Sequence, residues 1–144
     1  MSPDVPGQQR ILDARVLVIG AGGLGSPVLL YLAASGVGHI TVCDDDHVDI
    51  SNLQRQIVHY VDAIGRNKAE SAAATMRAIN PGITVQVLTQ RLSGSGLENQ
   101  VAAASVVIDA SDHFATRHAV NRACVACRKP LVSGAAIGAH GQAT

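Results

Sequence analysis

Excess charge, cysteine and long apolar runs are all scarce in this sequence. Eleven basic residues balance eleven acidic ones, which gives a formal net charge of +0 at pH 7. A balanced chain has no global field to attract nucleic acid or an anionic membrane, so any anion site must be assembled locally. We therefore expect neither nucleic acid nor a membrane among its partners.

The cysteines and the apolar runs indicate the cellular compartment in which the protein is expected. Only Cys43, Cys124 and Cys127 are present, and an odd number with one member inside a strand-like run favours reduced thiols over a disulfide framework. No apolar run reaches the roughly 18 to 20 residues that span a bilayer, and the N-terminus MSPDVPGQQR lacks the apolar segment of a signal peptide. These features predict a cytoplasmic protein.

The order of apolar patterns predicts the fold. A chain of 144 residues, 47% of them apolar, has the size of one domain spanning residues 1–144. Apolar runs predict strands, and helical spacing predicts helices, in strict alternation: strands at 16–19, 40–43, 83–88, 105–108 and 130–132, helices at 24–35, 68–79, 97–104 and 115–127. Such alternation predicts an α/β fold, a Rossmann-like, doubly wound and mostly parallel sheet with ligands beyond the carboxyl ends of its strands. Residues 142–144 resemble a strand cut short, so we expect the sheet to be truncated on its C-terminal side.

A glycine loop follows the first predicted strand and opens the first predicted helix. The run GAGGLG supplies Gly20, Gly22, Gly23 and Gly25, and small residues there let the backbone approach a phosphate favoured by free amides and the helix dipole. Asp44 lies 19 residues beyond Gly25, at the end of the second predicted strand, where a carboxylate can accept hydrogen bonds from ribose hydroxyls. Because NAD and ATP both carry that ribose, these features leave both nucleotides open.

The polar run DDDHVDISNLQRQ at residues 44–56 favours ATP. Arg55 offers a planar fork for phosphate oxygens, Asn52 an amide, and Lys68 a point charge at the start of the next predicted helix. Each contact between opposite charges near 4 Å is worth roughly 4 kcal/mol at an effective dielectric of about 20, before desolvation. Two cations and a metal ion would suit a triphosphate, whereas the shielded diphosphate of NAD does not need them.

Asp112, in the run DASDHF after the fourth predicted strand, is the candidate metal ligand. A carboxylate at a strand's carboxyl end is a hard oxygen ligand suited to Mg²⁺. The alternative is that Asp112 caps the helix that follows, since Asp is favoured at that position. Asp109 is closer to the strand and is expected to brace the loop.

Taken together, these motifs resemble the ubiquitin-activating-like family of the MoeB, ThiF and HesA type. The matching segments run in order over nearly the whole chain from Gly7 onward: GAGGLGSP, DDDHVDISNLQRQ, GRNKAESA, INP, DASDHFATR and KPLVSGAAIGAHGQ. The resemblance implies an adenylyltransferase that uses ATP to activate the C-terminal glycine of a ubiquitin-like sulfur-carrier protein ending in Gly-Gly, in a molybdopterin or thiamin type pathway. It also implies a homodimer.

The resemblance further assigns roles at the matching positions. Asp44 would hold the ribose. The residues expected to act in catalysis are Arg55 and Lys68, which would offset phosphate charge, and Asp112, which would hold the magnesium ion. The side chains expected around the nucleotide are Asp44, Asp46, Asn52, Arg55, Gln56, Lys68 and Asp112.

The sequence departs from the family pattern in two places. Members usually begin with an arginine-bearing helix, R-Y-x-R-Q, that reaches the partner's phosphates; this arginine has no counterpart here, and Arg10 falls at an ordinary basic position of the next helix. The family's later half brings two C-x-x-C pairs for zinc, but Cys124 and Cys127 lie on a predicted helix and only one further cysteine exists. No zinc site can therefore be assigned.

Two other functions remain open on the sequence. A nucleotide-binding remnant or interaction module without turnover would explain the departures from the family pattern. An NAD-dependent oxidoreductase would explain the glycine loop and Asp44, although no proton relay is evident.

Overall fold

The computed structural model describes residues 6–52 and 58–133 of the chain. In the described residues, five α-helices and five strands alternate, beginning with a helix: α1 (Pro6–Asp13), β1 (Arg15–Ile19), α2 (Gly25–Ser35), β2 (His39–Cys43), α3 (Lys68–Ile79), β3 (Thr84–Leu88), α4 (Gly94–Ala103), β4 (Val106–Asp109), α5 (Phe114–Cys127) and β5 (Leu131–Ser133). Two short 3₁₀ turns, Ile50–Asn52 and Val61–Ala63, lie between β2 and α3. The strand predicted at 142–144 lies outside the described residues.

The strands form one parallel sheet in the order β3-β2-β1-β4-β5. The central strand β1 pairs with β2 on one side, where Val18 faces Val42, and with β4 on the other, where Val18 faces Ile108. The predicted α/β fold with a Rossmann-like parallel sheet is confirmed. Because all strands run the same way, their carboxyl ends meet at one edge of the sheet.

Apolar layers cover both faces of this sheet. Side chains alternate along a strand, so Val16 and Val18 of β1 join the core under α2 and α3, while Leu17 and Ile19 join the core under α4 and α5. A strand that is buried on both faces has a continuous apolar sequence, which is why the apolar run at 16–19 predicts a strand. Helices on both faces make the sheet doubly wound.

Element ends differ from the predictions by one residue in most places and by three at α4. That helix begins at Gly94 instead of residue 97, and it ends before Ala104, whose backbone is extended. The glycines at 94 and 96 hid its first turn, because glycine is a poor helix former and gives no apolar periodicity.

The described helices include none with the length and apolarity to cross a membrane. Cys43 and Cys124 are buried free thiols, and Cys127 is a half-buried one. Cys124 and Cys127 lie on α5, as predicted.

Leu17 carries a testable prediction because its side chain is only 1% exposed in the middle of β1. Leu17→Ala should lower the free energy of unfolding by about 2 to 5 kcal/mol, since the cavity adds to the lost burial. Val125→Ala, at a position on α5 that is 70% exposed, is the control and should change it by less than about 0.5 kcal/mol. Urea unfolding measures both, and equal losses would contradict the described core.

Candidate functional site at the carboxyl edge of the sheet

A cleft of about 780 Å³ opens at the carboxyl edge of the sheet. Its walls come from the glycine loop after β1, the acidic end of β2, the start of α3, the segment after β3 and the loop after β4. The polar and glycine residues that line it are Gly20, Gly22, Gly23, Asp44, Asp45, Asp46, Lys68, Arg91, Ser111, Asp112, His113 and Thr116. This is the edge at which the alternating fold predicts a ligand.

The glycines of the loop serve two different purposes. Gly20 has φ +106, and a Cβ there would lie 2.8 Å from the carbonyl oxygen of Ala110, while a Cβ at Gly25 would run into the carbonyl oxygen of Gly20. A Cβ at Gly23 would meet no atom within 4 Å, although Gly23 lines the cleft. Packing thus requires Gly20 and Gly25, whereas Gly23 keeps the floor of the cleft open.

Asp44 ties the end of β2 to the glycine loop. Its Oδ2 accepts a hydrogen bond from the Ala21 amide at 2.8 Å, and its Oδ1 accepts one from the Asp46 amide at 2.8 Å. Each carboxylate oxygen can accept a further bond. Asp44 can therefore hold the loop and still accept from a hydroxyl of a ligand in the cleft.

Lys68 places a buried positive charge beside the glycine loop. Its side chain is 8% exposed, and its Nζ lies 3.1 Å from Oδ2 of Asp46, whose side chain is 69% exposed. The pKa of Asp46 lies below its usual value, first because the backbone amide of His47 donates to the carboxylate and also because Lys68 is near. In the free protein, Asp46 therefore neutralises the charge of Lys68. Because Asp46 is mostly exposed, water can solvate its carboxylate if another anion binds Lys68 instead.

The N-terminus of α3 fixes the position of Lys68. Asn67 caps this helix, since its Oδ1 accepts hydrogen bonds from the amides of Ala69 (2.7 Å) and Glu70 (3.1 Å). Asn67 also donates from Nδ2 to the carbonyl oxygen of Asp44 at 2.7 Å. A lysine at the positive end of a helix does not help the helix itself, so its charge favours an anion bound in the cleft.

Asp112 lies across the cleft from these groups, with its side chain 94% exposed. His113, not Asp112, occupies the N-cap position of α5, so the alternative in which Asp112 caps the helix is wrong. Asp109 is buried, and its Oδ1 accepts hydrogen bonds from Ser111 at the amide (3.0 Å) and at Oγ (2.7 Å), which braces the loop. The loop thus presents the Asp112 carboxylate to the open side of the cleft.

A Mg²⁺ ion would fit at Asp112, because the donor is a carboxylate oxygen and the side chain is open to water. Mg²⁺ is usually held by one or two carboxylates together with substrate phosphates and water, not by a complete protein cage. Within residues 6–52 and 58–133 there is no group of three or more His, Cys, Asp and Glu side chains that could hold a metal ion. A single solvent-facing carboxylate agrees with a metal that arrives with its phosphates.

The structure brings together most of the predicted site residues. Among the predicted residues, those that line the cleft are Gly20, Gly22, Gly23, Asp44, Asp46, Lys68 and Asp112. Gly25 lies just behind, at the first position of α2. Asn52 ends a 3₁₀ turn, and Arg55 and Gln56 lie outside the described residues. Arg10 is exposed on α1. This helix lies at the amino edge of the sheet, because the amide of Gly38, just before β2, donates to the carbonyl of Ile11. Arg10 therefore does not line the cleft of its own chain.

Sequence reasoning missed His59, which is 5% exposed and touches the glycine loop. Its Nε2 lies 2.8 Å from the Ala21 carbonyl oxygen, and its Nδ1 lies 2.7 Å from Oγ of Ser71 on α3. Burial lowers the pKa of His59, and the nearby Lys68 lowers it further, against the opposing effect of the Ala21 hydrogen bond. No spacing or motif distinguishes this histidine from the exposed ones.

The parallel sheet, the glycine loop and the cleft at its carboxyl edge define a Rossmann-like α/β protein. Within that class the chain belongs to the ThiF family, whose model matches residues 2–144. The family resemblance predicted from the motifs is therefore confirmed.

Two curated relatives come from different domains of life. The chain is 48% identical over 136 residues to the sulfur carrier protein ThiS adenylyltransferase of Escherichia coli, which covers 94% of this chain and 54% of the relative. It is 51% identical over 138 residues to the SAMP-activating enzyme E1 of Haloferax volcanii, with 96% of this chain and 51% of the relative covered. The chain thus spans about half the length of these relatives.

A solved structure agrees with the fold. The tRNA N6-threonylcarbamoyladenosine dehydratase TcdA of E. coli in complex with ATP superposes with a TM-score of 0.82 at 36% identity, covering 87% of this chain and 52% of that protein. The likeness extends over most of the described sheet and helices.

The lowered pKa of His59 predicts a pH dependence of stability. The unfolded histidine titrates near 6.5 and the folded one below it, so the unfolded state binds the proton first and stability falls as the pH drops below about 6.5. His59→Gln should remove this part of the slope, whereas His118→Gln, on the exposed side of α5, should keep it. Urea unfolding between pH 5 and 7.5 measures the slope, and an unchanged slope in His59→Gln would contradict the assignment.

Proposed function

We propose that this chain binds ATP in the cleft and adenylylates the C-terminal glycine of a ubiquitin-like sulfur-carrier protein that ends in Gly-Gly. The observation that carries the proposal is Lys68, a buried cation at the N-terminus of α3, beside a glycine loop whose floor is kept open at Gly23. The named activities of the ThiS adenylyltransferase and the SAMP-activating enzyme support this kind of reaction and partner.

The charge distribution favours ATP over NAD. The side chain of Lys68 is 8% exposed and places a positive charge in the same cleft that the glycine loop lines. A triphosphate benefits from that charge more than a shielded diphosphate does. The structural relative solved with ATP, at 36% identity, supports the same choice.

Each side of the cleft receives a part of the nucleotide in this proposal. Asp44 accepts from the ribose hydroxyls, and Lys68 contacts the phosphates together with the amides of the glycine loop. Asn52 and Arg55 complete the phosphate contacts in this proposal, and Gln56 and Asp46 are nearby candidates, as the family resemblance implies. Asp112 would hold Mg²⁺, which would supply positive charge to offset that of the phosphates.

The reaction is a displacement at the α-phosphorus. A carboxylate oxygen of the carrier's terminal glycine forms a bond to that phosphorus while the bond to the bridging oxygen of the β-phosphate breaks, which yields an acyl adenylate and pyrophosphate. No side-chain nucleophile is needed, because the protein contributes by alignment and by stabilising the charge that moves to pyrophosphate. Lys68 and Arg55 are the side chains proposed to offset that charge.

The pathway and the assembly follow from the relatives in the same way. A molybdopterin or thiamin type pathway and homodimerisation are both proposed from the family resemblance, and the name of the ThiS adenylyltransferase supports a sulfur-carrier pathway. Pyrophosphate exchange into ATP that requires both Mg²⁺ and a carrier ending in Gly-Gly tests the function. A chain that binds ATP but supports no exchange with any such carrier would instead be a nucleotide-binding module without turnover.

Lys68 provides a prediction about nucleotide affinity. Lys68→Met should weaken ATP binding by about tenfold to a hundredfold, since a partly desolvated contact to phosphate is lost. Lys129→Met removes the same charge beyond the end of α5, outside the cleft, and should leave affinity within about twofold. Titration calorimetry with ATP measures both, and equal affinities for wild type and Lys68→Met would contradict the phosphate role.

Asp112 provides a prediction about the metal. Asp112→Asn should raise by about tenfold the Mg²⁺ concentration that gives half-maximal exchange, because a neutral amide is a weaker ligand than a carboxylate. Asp62→Asn, on the exposed 3₁₀ turn Val61–Ala63, is the control and should not shift it. A Mg²⁺ dependence that is the same in wild type and Asp112→Asn would argue against Asp112 as the ligand.

A further inference from the structure

Two consecutive peptide units of the glycine loop, Ala21–Gly22 and Gly22–Gly23, are held by their carbonyl oxygens. The Ala21 carbonyl accepts from Nε2 of His59 at 2.8 Å, and the Gly22 carbonyl accepts from Oγ and the amide of Ser26 at 2.6 and 2.9 Å. Both side chains lie on the protein side of the loop, since His59 is 5% exposed and Ser26 is 0% exposed. The carbonyls therefore point into the protein.

The opposite ends of these peptide units then face the cleft. In a planar trans peptide, the carbonyl and the following N–H point in opposite directions. Anchoring the Ala21 carbonyl turns the Gly22 N–H away from the interior, and anchoring the Gly22 carbonyl does the same for the Gly23 N–H. Both glycines line the cleft, and across residues 6–52 and 58–133 neither amide has a hydrogen-bond acceptor.

The two anchors differ in how far they depend on one side chain. The Gly22 carbonyl is also bound by the Ser26 backbone, as part of the start of α2, so that unit keeps its orientation without the hydroxyl. Among the described residues, the Ala21 carbonyl has His59 at 2.8 Å and otherwise only a longer contact of 3.4 Å from Ser26 Oγ. Orientation of the Gly22 amide therefore depends mainly on His59.

His59 is itself fixed from α3, the helix that carries Lys68. A carbonyl oxygen only accepts, so Nε2 of His59 carries the proton, and Nδ1 then accepts from the hydroxyl of Ser71, at 2.7 Å. Ser71 follows Lys68 by three residues, which is about one helical turn. A single ring thus connects the glycine loop to the helix that supplies the phosphate-binding lysine.

We propose that His59 is a positioning residue that orients the Gly22 amide toward the phosphates of the bound nucleotide. The inference rests on the proposed function, and it specifies which part of the ligand His59 serves. In the proposed function, the ribose of the adenosine end is held by Asp44, at the end of β2, which is a different wall of the cleft. Loss of His59 should therefore reduce the affinity for phosphates and leave the affinity for adenosine unchanged.

The test compares ATP and adenosine binding by calorimetry. His59→Phe, which keeps a flat ring but donates no hydrogen bond, should weaken ATP by about tenfold and adenosine by less than about twofold. His59→Gln, whose amide can donate to the Ala21 carbonyl, should restore most of the loss. Thr75→Val is the matched control: Thr75 is a buried α3 residue that bonds the carbonyl of Val58, beside His59, without touching the loop, and its loss should change neither affinity.

Each outcome decides the proposal. Equal weakening of ATP and adenosine in His59→Phe, or no change in either, would overturn it. If His59→Phe fails to fold, Ser71→Ala keeps the ring and removes its second partner, and a loss confined to ATP is expected there. Nitrogen NMR of the free protein should show the Nε2–H tautomer of His59, and the Nδ1–H tautomer would also overturn the proposal. Pyrophosphate exchange is measured separately, so a phosphate-specific loss without exchange would support the His59 role and reject the adenylylation.

Discussion

The close approach of the glycine loop to the end of β4 is the constraint on which the site depends. A side chain at Gly20 would collide with the Ala110 carbonyl, and a side chain at Gly25 would collide with Gly20 itself. This crowding holds the first turn of α2 against the sheet, so that the loop forms one wall of the cleft. The parallel order of the strands brings the ends of β2 and β4 to the same edge, and Asp44 and Asp112 arrive there with them.

The ion pair between Lys68 and Asp46 allows Lys68 to change its anionic partner. Lys68 is buried, and an uncompensated buried ammonium would be costly, so the free protein pairs it with Asp46. Asp46 is mostly exposed and can be solvated by water when another anion approaches Lys68. In the proposed function, a phosphate would replace one partner of the lysine by another, at little cost in desolvation of the lysine.

The sequence predicted the scaffold well because the scaffold depends on periodicity. Val16 to Ile19 is apolar on both faces, and Gly20 follows it directly, so strand, loop and helix could be read in order. Contacts between distant segments could not be read that way. His59 lies 38 residues from the carbonyl it binds, and nothing near it in the sequence indicates that partner. The start of α4 was also missed, because Gly94 and Gly96 carry no periodic signal.

In the proposed function, this cleft recognises a chain of phosphates and not merely an adenosine ribose. Competition between ATP and NAD for the chain, monitored by calorimetry in the presence of Mg²⁺, measures this preference. We expect ATP to bind at least about tenfold more tightly than NAD, because Lys68 and the loop amides would add phosphate contacts. Equal or tighter binding of NAD would contradict it.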